Sequence, residues 1–408
     1  MSRGRKNMLD VLLANARIGD RVRDIGIRRG RIAENCDGPA AITHDLAGRV
    51  LLPGLVEAHI HLDKAGLLCR CGQVRGLHEA VAAVSALKRD FTAADVHARG
   101  AAVIERAILQ GTMFMRAHVE VDPRAGLRSL AAMLRLRDDY AFALKLQICA
   151  FAQEGLTNDP GTEELLEAAL EQGADLLGGC PYTDTDPLGQ IERLFAMALR
   201  HGVDLDFHLD FDLDPGWTHL EAVCEATMRH GWQGRVNIGH VTKLAAMDDA
   251  ALDRHARMLA TAGVSVTALP STDLYLGGAG LGHRAPRGVA PVHLLAKAGV
   301  LVAVATNNVM NPFTPYGDCS LLRMGNLYAN VMQLGPEAFA ACLDMVTGTA
   351  ARILRLDGYG LGPGDRADLI VLEAASPAEA LASIAPPAMG FRNGRQSFVR
   401  PAARLMRP

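Results

Sequence analysis

The sequence predicts an α/β protein whose main part is a (β/α)₈ TIM-type barrel, joined to a small β-sandwich module built from both termini. Between residues 54 and 345, short apolar segments alternate with longer Ala- and Leu-rich segments, as the strands and helices of parallel βαβ units do. Eight such units fit this stretch, which is the number that a closed barrel of this type requires. Both ends of the chain instead carry short β-like segments separated by turns. We therefore predict a barrel over 54–345 and a module formed by 1–53 and 346–408.

The module is predicted from short alternating strands at each end of the chain. Near the amino end, the segment 23–28 has a β-like pattern and leads into the turn Arg29-Gly30. Near the carboxyl end, the segment 389–392 leads into the turn Asn393-Gly394. Because both sets are short and turn-rich, we expect them to pair with one another.

The barrel elements follow one another along the chain, and the active site of such a barrel lies at the carboxyl ends of its strands. The strands are predicted at 51–58, 112–118, 142–151, 175–179, 203–209, 235–239, 264–269 and 301–305. The helices are predicted at 77–90, 93–110, 127–138, 161–172, 187–201, 217–231, 247–262 and 291–298.

Composition narrows the class of partner. The chain has 408 residues, 49% hydrophobic and 21% charged, with a formal charge of −3. This charge gives no electrostatic reason to expect nucleic acid or a membrane as partner, and we expect neither. The expected partner is a small-molecule substrate, which the candidate site residues and the family resemblance described below indicate. The apolar stretch after the basic amino terminus is interrupted by Asp10, Asn15 and Arg17, which argues against a signal peptide. We therefore expect a cytoplasmic protein, and we also expect a homo-oligomer. None of the eight cysteines forms a C-x-x-C pair, and we expect most of them to be reduced thiols.

The segment His59-Ile60-His61 is the strongest chemical signal in the sequence. It follows the apolar run 50–56, which is typical of a buried strand. Residues two apart in a strand point to the same face, so His59 and His61 offer two nitrogen ligands to one divalent metal ion. The alternative is an ordinary pair of hydrogen-bonded histidines.

Further polar residues stand at the ends of later strands. In the fifth strand Asp206, His208 and Asp210 share one face, which is either the barrel interior near its mouth or the exposed side of an edge strand. The sixth strand ends in His240, and the eighth opens into Thr306-Asn307-Asn308. A barrel would bring these strand ends together at one mouth.

These segments resemble the amidohydrolase superfamily, in particular the cytosine-deaminase-like branch that includes the isopropylammelide hydrolases. The matching stretches are 53–64, 116–122, 147–155, the segments around His208 and His240, 307–308, 311–317 and 364–369. They cover almost the whole chain in the order of the family.

The resemblance implies a mechanism and a set of roles. His59, His61 and His208 would hold one divalent ion, zinc or iron, which lowers the pKa of water toward ~7. His240 would act as acid, base or electrophile, and Gln153 would contact a substrate amide. The end of the fourth strand, 178–181, carries no lysine of the kind that is carbamylated in binuclear relatives, so the resemblance favours one metal ion.

Other residues are candidates for substrate contacts. Lys64 either stabilises an anionic oxygen of the substrate or is a surface lysine. His118 and Asn308 lie in matching segments. The Gly-rich loop 271–284 is predicted to be a mobile lid, in which His283 and Arg284 recognise an anionic group.

The chain departs from the family at two charged positions. The eighth-strand aspartate is Asn307, and the glutamate that follows the fifth-strand histidine in deaminases is Phe211. An amide is a weak ligand and cannot take a proton from water. If the enzyme activates water, another group must replace that base, and Asp210 or His240 is best placed to do so.

These departures leave three interpretations of function. The first is a metal-dependent hydrolase of C–N bonds in a small nitrogen heterocycle, either a deaminase or a cyclic amide or amidine hydrolase. The second is a non-hydrolytic isomerase, lyase or cyclase on the same fold, with or without metal. The third, a catalytically inactive binding protein, does not explain why so many costly polar groups are retained.

Overall fold

The computed structural model describes residues 8–72, 74–279 and 281–406, and within them the strands form two eight-stranded sheets. Strands β1–β5 are Leu9–Ile18, Arg21–Arg28, Arg31–Ile32, Ala40–Asp45 and Val50–Pro53. Strands β6–β13 are Leu55–Ile60, Thr112–Glu120, Lys145–Ala152, Leu176–Gly179, Asp204–Leu209, Val236–His240, Val264–Ala268 and Val302–Val304. Strands β14–β16 are Leu369–Leu372, Pro387–Arg392 and Arg395–Val399.

The second sheet is the predicted (β/α)₈ barrel. Strands β6 to β13 are hydrogen-bonded in chain order, and every pair is parallel. Closure comes from the chain just beyond β13: the Asn307 N–H donates to the His59 carbonyl (2.9 Å), and the His61 N–H donates to the Asn307 carbonyl (2.8 Å). The two ends of the sheet therefore meet beside the histidine pair, and the prediction of fold class is confirmed.

The helices occupy most of the predicted positions. Helices α1–α7 are Leu77–Leu87, Ala93–Leu109, Arg128–Asp139, Thr162–Glu171, Pro187–His201, Leu220–Arg229 and Asp249–Ala262. Helices α8–α13 are Pro270–Leu276, Val292–Lys297, Leu321–Val331, Phe339–Asp344, Gly348–Ile353 and Pro377–Ala382. In the described part of the chain no helix is both long enough and apolar enough to cross a bilayer.

Helix α5 shows why these segments are helical. The Asp186 side chain accepts a hydrogen bond from the Gly189 N–H, and Pro187 occupies the first turn, where its missing N–H costs nothing. Gly202 ends the helix in the left-handed region, with φ of +66°. Its apolar face, which includes Leu194 and Phe195, is buried. Loss of the Asp186 cap is expected to cost about 1 kcal/mol.

Strands from both termini form the other sheet. Strand β14 pairs antiparallel with β5, which joins the two ends of the chain. Alternate residues of β14 face opposite ways: Leu369 and Val371 lie in a cluster with residues of β1 and β2, whereas Ile370 and Leu372 belong to the larger core that includes the barrel. One face of this sheet therefore packs toward the barrel.

The first predicted strand, 51–58, is in fact two strands in different sheets. They divide at Gly54, where a Cβ atom would lie 2.5 Å from Met113 Sδ. The backbone at Gly54 therefore lies so close to the Met113 side chain that a residue with a Cβ atom would clash there.

The predicted lid loop also differs from expectation, because its beginning, Pro270–Leu276, is helix α8. Helix α12, which lies in the segment assigned to the module, contacts barrel strands β6 and β13. The division at residue 345 remains a prediction.

Candidate active site and metal centre

Three buried histidines meet at the carboxyl end of the barrel. His59 lies near the end of β6, His61 directly follows that strand, and His208 is on β10. The Nε2 atom of His208 lies 3.1 Å from Nε2 of His59 and 3.0 Å from Nε2 of His61. The strand alternation predicted from the sequence thus places both histidines of the pair beside the third.

The chemistry of this set suits one divalent metal ion. Burial, reinforced by neighbouring histidines and, for His61 and His208, by the charge of Lys64, holds the pKa of all three imidazoles well below the usual range. The rings are therefore neutral at pH 7, and each keeps a nitrogen lone pair. Two nitrogens that each lie about 2.1 Å from a tetrahedral zinc ion are separated by about 3.4 Å, close to the separations seen here. His59, His61 and His208 therefore fit as ligands.

His240 lies beside this cluster and is paired with a carboxylate. It ends β11, and its Nδ1 lies 2.7 Å from Oδ1 of Asp273 on α8. Burial raises the pKa of the Asp273 carboxyl, and His240 counteracts this by favouring the ionised form. His240 and Val241 both have left-handed backbone, with φ of +70° and +44°. Two consecutive residues held in this sparsely populated region indicate a position that the surrounding fold enforces.

Asn307 faces the other nitrogen of the same ring. Its side-chain nitrogen lies 3.5 Å from Nε2 of His240, and its side-chain oxygen is buried without a hydrogen-bond partner among the described residues. Its backbone is left-handed, with φ of +64°, and forms the two hydrogen bonds that close the barrel. The amide is therefore held rigidly beside His240.

Lys64 is buried rather than on the surface. Its Nζ donates to Oε1 of Glu120 (2.7 Å) and to Oε1 of Gln153 (3.1 Å), and it lies 4.4 Å from the centre of the Phe313 ring. Glu120 also accepts from Nζ of Lys88 (2.7 Å), so one buried carboxylate is shared by two ammonium groups. The surface interpretation of Lys64 is thus excluded.

These groups open onto one narrow cavity, with free volume of about 10 Å³. Its polar lining consists of His61, Lys64, Gln153, Tyr182, His208, His240, Thr272, Asn307 and Asn308. Its apolar lining consists of Leu77, Phe211, Leu276 and Phe313. Phe211, which stands where deaminases have a glutamate, packs edge-on against the His240 ring at 4.8 Å between centroids. The cavity therefore brings together the histidine cluster, the His240–Asp273 pair and Lys64.

Asp210 does not face this cavity. Its carboxylate accepts hydrogen bonds from the Thr218 hydroxyl (2.6 Å) and the His219 N–H (2.9 Å), and it lies 2.7 Å from Nδ1 of His219. Its expected role as the replacement base is not supported by this placement.

Three expected substrate contacts also lie elsewhere. His118 stacks on His59 with ring centroids 3.8 Å apart, and it is 3.5 Å from Asp206. His118 therefore packs against the histidine cluster and does not line the cavity. His283 and Arg284 are exposed in the loop after α8 and are not part of the lining. Asn308 and Gln153, in contrast, line the cavity as expected.

Asp273 is the functional candidate that the sequence reasoning missed. It lies in Leu269-Pro270-Ser271-Thr272-Asp273, directly after strand β12. A proline at the first turn of a helix and an acid three residues later are a signal for a helix start. The glycines that follow at 277–282 predict a loop instead and outweigh this signal.

Comparison with known proteins identifies the family of the chain. Residues 43–397 match the model of the amidohydrolase family. The chain is 28% identical over 407 residues to N-isopropylammelide isopropyl amidohydrolase from Pseudomonas sp. strain ADP, covering 95% of this chain and 96% of that protein. It is 29% identical over 358 residues to pterin deaminase from Rhizobium rhizogenes, covering 86% of this chain and 81% of that protein.

A solved structure shows the same architecture. The structure of 5-methylcytosine deaminase from Klebsiella pneumoniae with 5-fluorocytosine superposes with a TM-score of 0.90 at 28% identity, covering 98% of this chain and 99% of that one. None of these three relatives supports the non-hydrolytic alternative. The chain therefore belongs to the amidohydrolase family and is an amidohydrolase-type enzyme that hydrolyses carbon–nitrogen bonds other than peptide bonds.

Proposed function

We propose that the enzyme removes an amino or alkylamino substituent from a small planar nitrogen heterocycle, with one zinc or iron ion held by His59, His61 and His208. The observation that carries the proposal is the convergence of the three Nε2 atoms at the cavity that also contains His240 and Lys64. The names of the relatives support the substrate class, since an ammelide, a cytosine and a pterin are all nitrogen heterocycles with exocyclic nitrogen or oxygen.

When bound, the metal ion supplies an activated water molecule as nucleophile. We assign the proton transfers to His240. Its Nδ1 is engaged by Asp273 at 2.7 Å, which orients the ring so that Nε2 faces Asn307 and the cavity. In the tautomer that carries its proton on Nδ1, Nε2 of His240 is free to accept a proton. It accepts the proton of the attacking water and then donates it to the departing nitrogen. Asp273 stabilises the imidazolium that exists between the two steps.

Asn307 cannot perform that proton transfer. Its amide has no basic lone pair at neutral pH, but its buried oxygen lacks a partner and is free to accept a hydrogen bond from substrate or water. We therefore assign it a positioning role. The carboxylate that the family keeps at this place is replaced in function by Asp273, which acts through His240.

Lys64 and Gln153 are assigned to substrate recognition. The positive charge of Lys64 is fixed by Glu120 and lies against Phe313, so it is held at the cavity wall. An ammonium and an amide side by side suit a ring carbonyl and its neighbouring ring N–H. Side chains that line the cavity must move apart to admit a ring, because the free volume is only about 10 Å³.

Metal analysis and a hydrolysis screen test this proposal. Protein purified without chelators should contain close to one equivalent of zinc or iron, and should release ammonia or an amine from at least one pyrimidine or triazine. Reaction in ¹⁸O-labelled water should place one ¹⁸O atom in the ring product, which an isomerase or lyase would not do. Chelator-treated protein reconstituted with zinc is the control. A metal-loaded protein that is inert toward pyrimidines, triazines, hydantoins and lactams would contradict the proposal.

A further inference from the structure

A second cleft lies where turns from the two ends of the chain meet. Its volume is about 710 Å³, within the range of roughly 300–1,000 Å³ that is typical of small-molecule sites. Half of its ten lining residues are arginines, namely Arg29, Arg31, Arg366, Arg392 and Arg395. Such a concentration is unexpected in a chain with a net charge of −3. The turns at 29–30 and 393–394 have no part in the amidohydrolase site.

The cleft is far from the histidine cluster. Phe142, one of its lining residues, precedes the amino end of β8, whereas the histidines lie at the carboxyl ends of the barrel strands. A ligand here would therefore be separate from the substrate.

Backbone hydrogen bonds join the turns that frame the cleft. The Ala367 N–H donates to the Gly30 carbonyl and the Gly394 N–H donates to the Ala367 carbonyl, both at 2.9 Å. Both glycines have left-handed backbone, with φ of +76° and +74°. A Cβ on Gly30 would lie 2.9 Å from the Asn393 carbonyl oxygen, so this approach requires glycine. These bonds hold the backbone turns that carry the arginines against one another.

The five arginines differ in how their charges are balanced. Arg366 and Arg392 share the buried carboxylate of Asp368. Arg31 donates to the Gly364 carbonyl (2.8 Å). Arg29 and Arg395 are exposed and form no salt bridge within the described residues.

One carboxylate also lies at the cleft. The Asp10 side chain accepts a hydrogen bond from the backbone N–H of Arg29. The cleft therefore has five guanidinium groups and two nearby carboxylates, those of Asp10 and Asp368. Its net charge is positive.

We propose that this cleft binds a phosphorylated small molecule with a planar ring, of the nucleoside triphosphate kind. Arg29 and Arg395 supply the guanidinium forks that match phosphate oxygens. Phe142 is 63% exposed at the same cleft and offers an apolar face on which a planar ring stacks. The bound phosphates balance the excess charge of the arginines.

Calorimetric titration of the full chain with ATP, inorganic tripolyphosphate and adenosine tests the proposal. ATP should bind most tightly, tripolyphosphate more weakly, and adenosine without detectable heat. The double variant Arg29→Gln/Arg395→Gln should weaken ATP binding at least about tenfold, because it removes two charge-assisted contacts. The matched control is Arg21→Gln/Arg23→Gln, which removes the same charge from exposed positions of β2 in the same module.

Phe142→Ala should reduce ATP binding to the level of tripolyphosphate and leave tripolyphosphate binding unchanged. All variants should retain the melting temperature and amine-release activity of the parent, since these side chains are exposed and remote from the histidines. Absence of ATP binding, or equal loss in the control variant, would overturn the proposal. A third result would also overturn it. If the parent self-associates, the Arg29→Gln/Arg395→Gln variant does not, and neither protein binds ATP, the cleft is an interface between two copies of the chain.

Discussion

Replacement of Asp273 with asparagine is expected to slow turnover about 10²–10⁴-fold without loss of metal, which is the usual range for a general acid–base group. The carboxylate lies 2.7 Å from Nδ1 of His240, and both side chains are buried. Two unit charges about 4 Å apart at an effective dielectric constant of about 20 attract by about 4 kcal/mol. Loss of that attraction for the imidazolium corresponds to roughly 10³-fold in rate. The amide can also donate to Nδ1, which would place the ring proton on Nε2 and remove the base.

The chain contains a matched control for this variant. Oδ1 of Asp210 lies 2.7 Å from Nδ1 of His219, the same pair of atoms at the same distance, but neither residue lines the cavity. Asp210→Asn therefore makes the same chemical change outside the proposed site. We expect it to alter turnover by less than about fivefold, because the Asp210 carboxylate, although buried, is bonded to Thr218 and His219 outside the cavity.

The assay is steady-state release of ammonia or amine from the best compound of the hydrolysis screen. Metal content and thermal unfolding of each variant separate a catalytic defect from loss of the ion or of the fold. Nitrogen-15 NMR of the histidines reports the tautomer of His240 directly. Turnover in Asp273→Asn within fivefold of the parent, at equal metal content, would refute the assignment. Equal damage by Asp210→Asn and Asp273→Asn would refute it as well.

Three further predictions concern the metal and the buried charges. Asn307→Asp should tighten divalent-metal binding at least about tenfold, because an ionised carboxylate replaces a neutral amide near the ligands, and Asn308→Asp is the control. His61→Ala should reduce bound metal from about one equivalent to less than a tenth, measured by plasma mass spectrometry. Burial, and then the charge of Glu120, raise the pKa of Glu154 from 4.5 to about 7, so its contribution to stability is complete below pH 4.5 and lost as pH rises through about 7. The free energy of unfolding of the parent should therefore fall between pH 5 and pH 8. Glu154→Gln should make that fall smaller by up to about 3 kcal/mol, measured by urea unfolding at the two pH values.

The barrel was predictable because most of its strands have a local signature, although the first predicted strand, 51–58, spans two strands of different sheets. Apolar runs such as 264–269 and 235–239 correspond to β12 and β11 within one residue at either end. Strand alternation likewise predicted that His59 and His61 share a face. The convergence with His208 required only the order of strands in a closed barrel, which the fold class supplies.

Contacts between residues distant in the sequence were not predictable in the same way. Nothing local to Lys64 shows that Glu120 and Gln153 lie beside it, since they come from later strands. The choice between Asp210 and Asp273 depended on where each side chain points. Alternation on the fifth strand placed Asp210 on the interior face, but its left-handed backbone, with φ of +50°, ends that alternation and directs the carboxylate toward His219.

The positions of Asp273 and Asn307 lead to a last prediction. Strands β12 and β13 are parallel neighbours, so the residues that follow them approach His240 from two sides, Asp273 at Nδ1 and Asn307 at Nε2. The double variant Asp273→Asn/Asn307→Asp moves the carboxylate from one side of the ring to the other at constant net charge. If Asp273 has replaced the family carboxylate in function, the double variant should turn over at least about tenfold faster than Asp273→Asn. Such a recovery is a strong positive coupling, as expected for residues that share a partner. Additive losses in the two single variants and the double variant, at equal metal content, would show that the two positions act independently and that His240 does not link them.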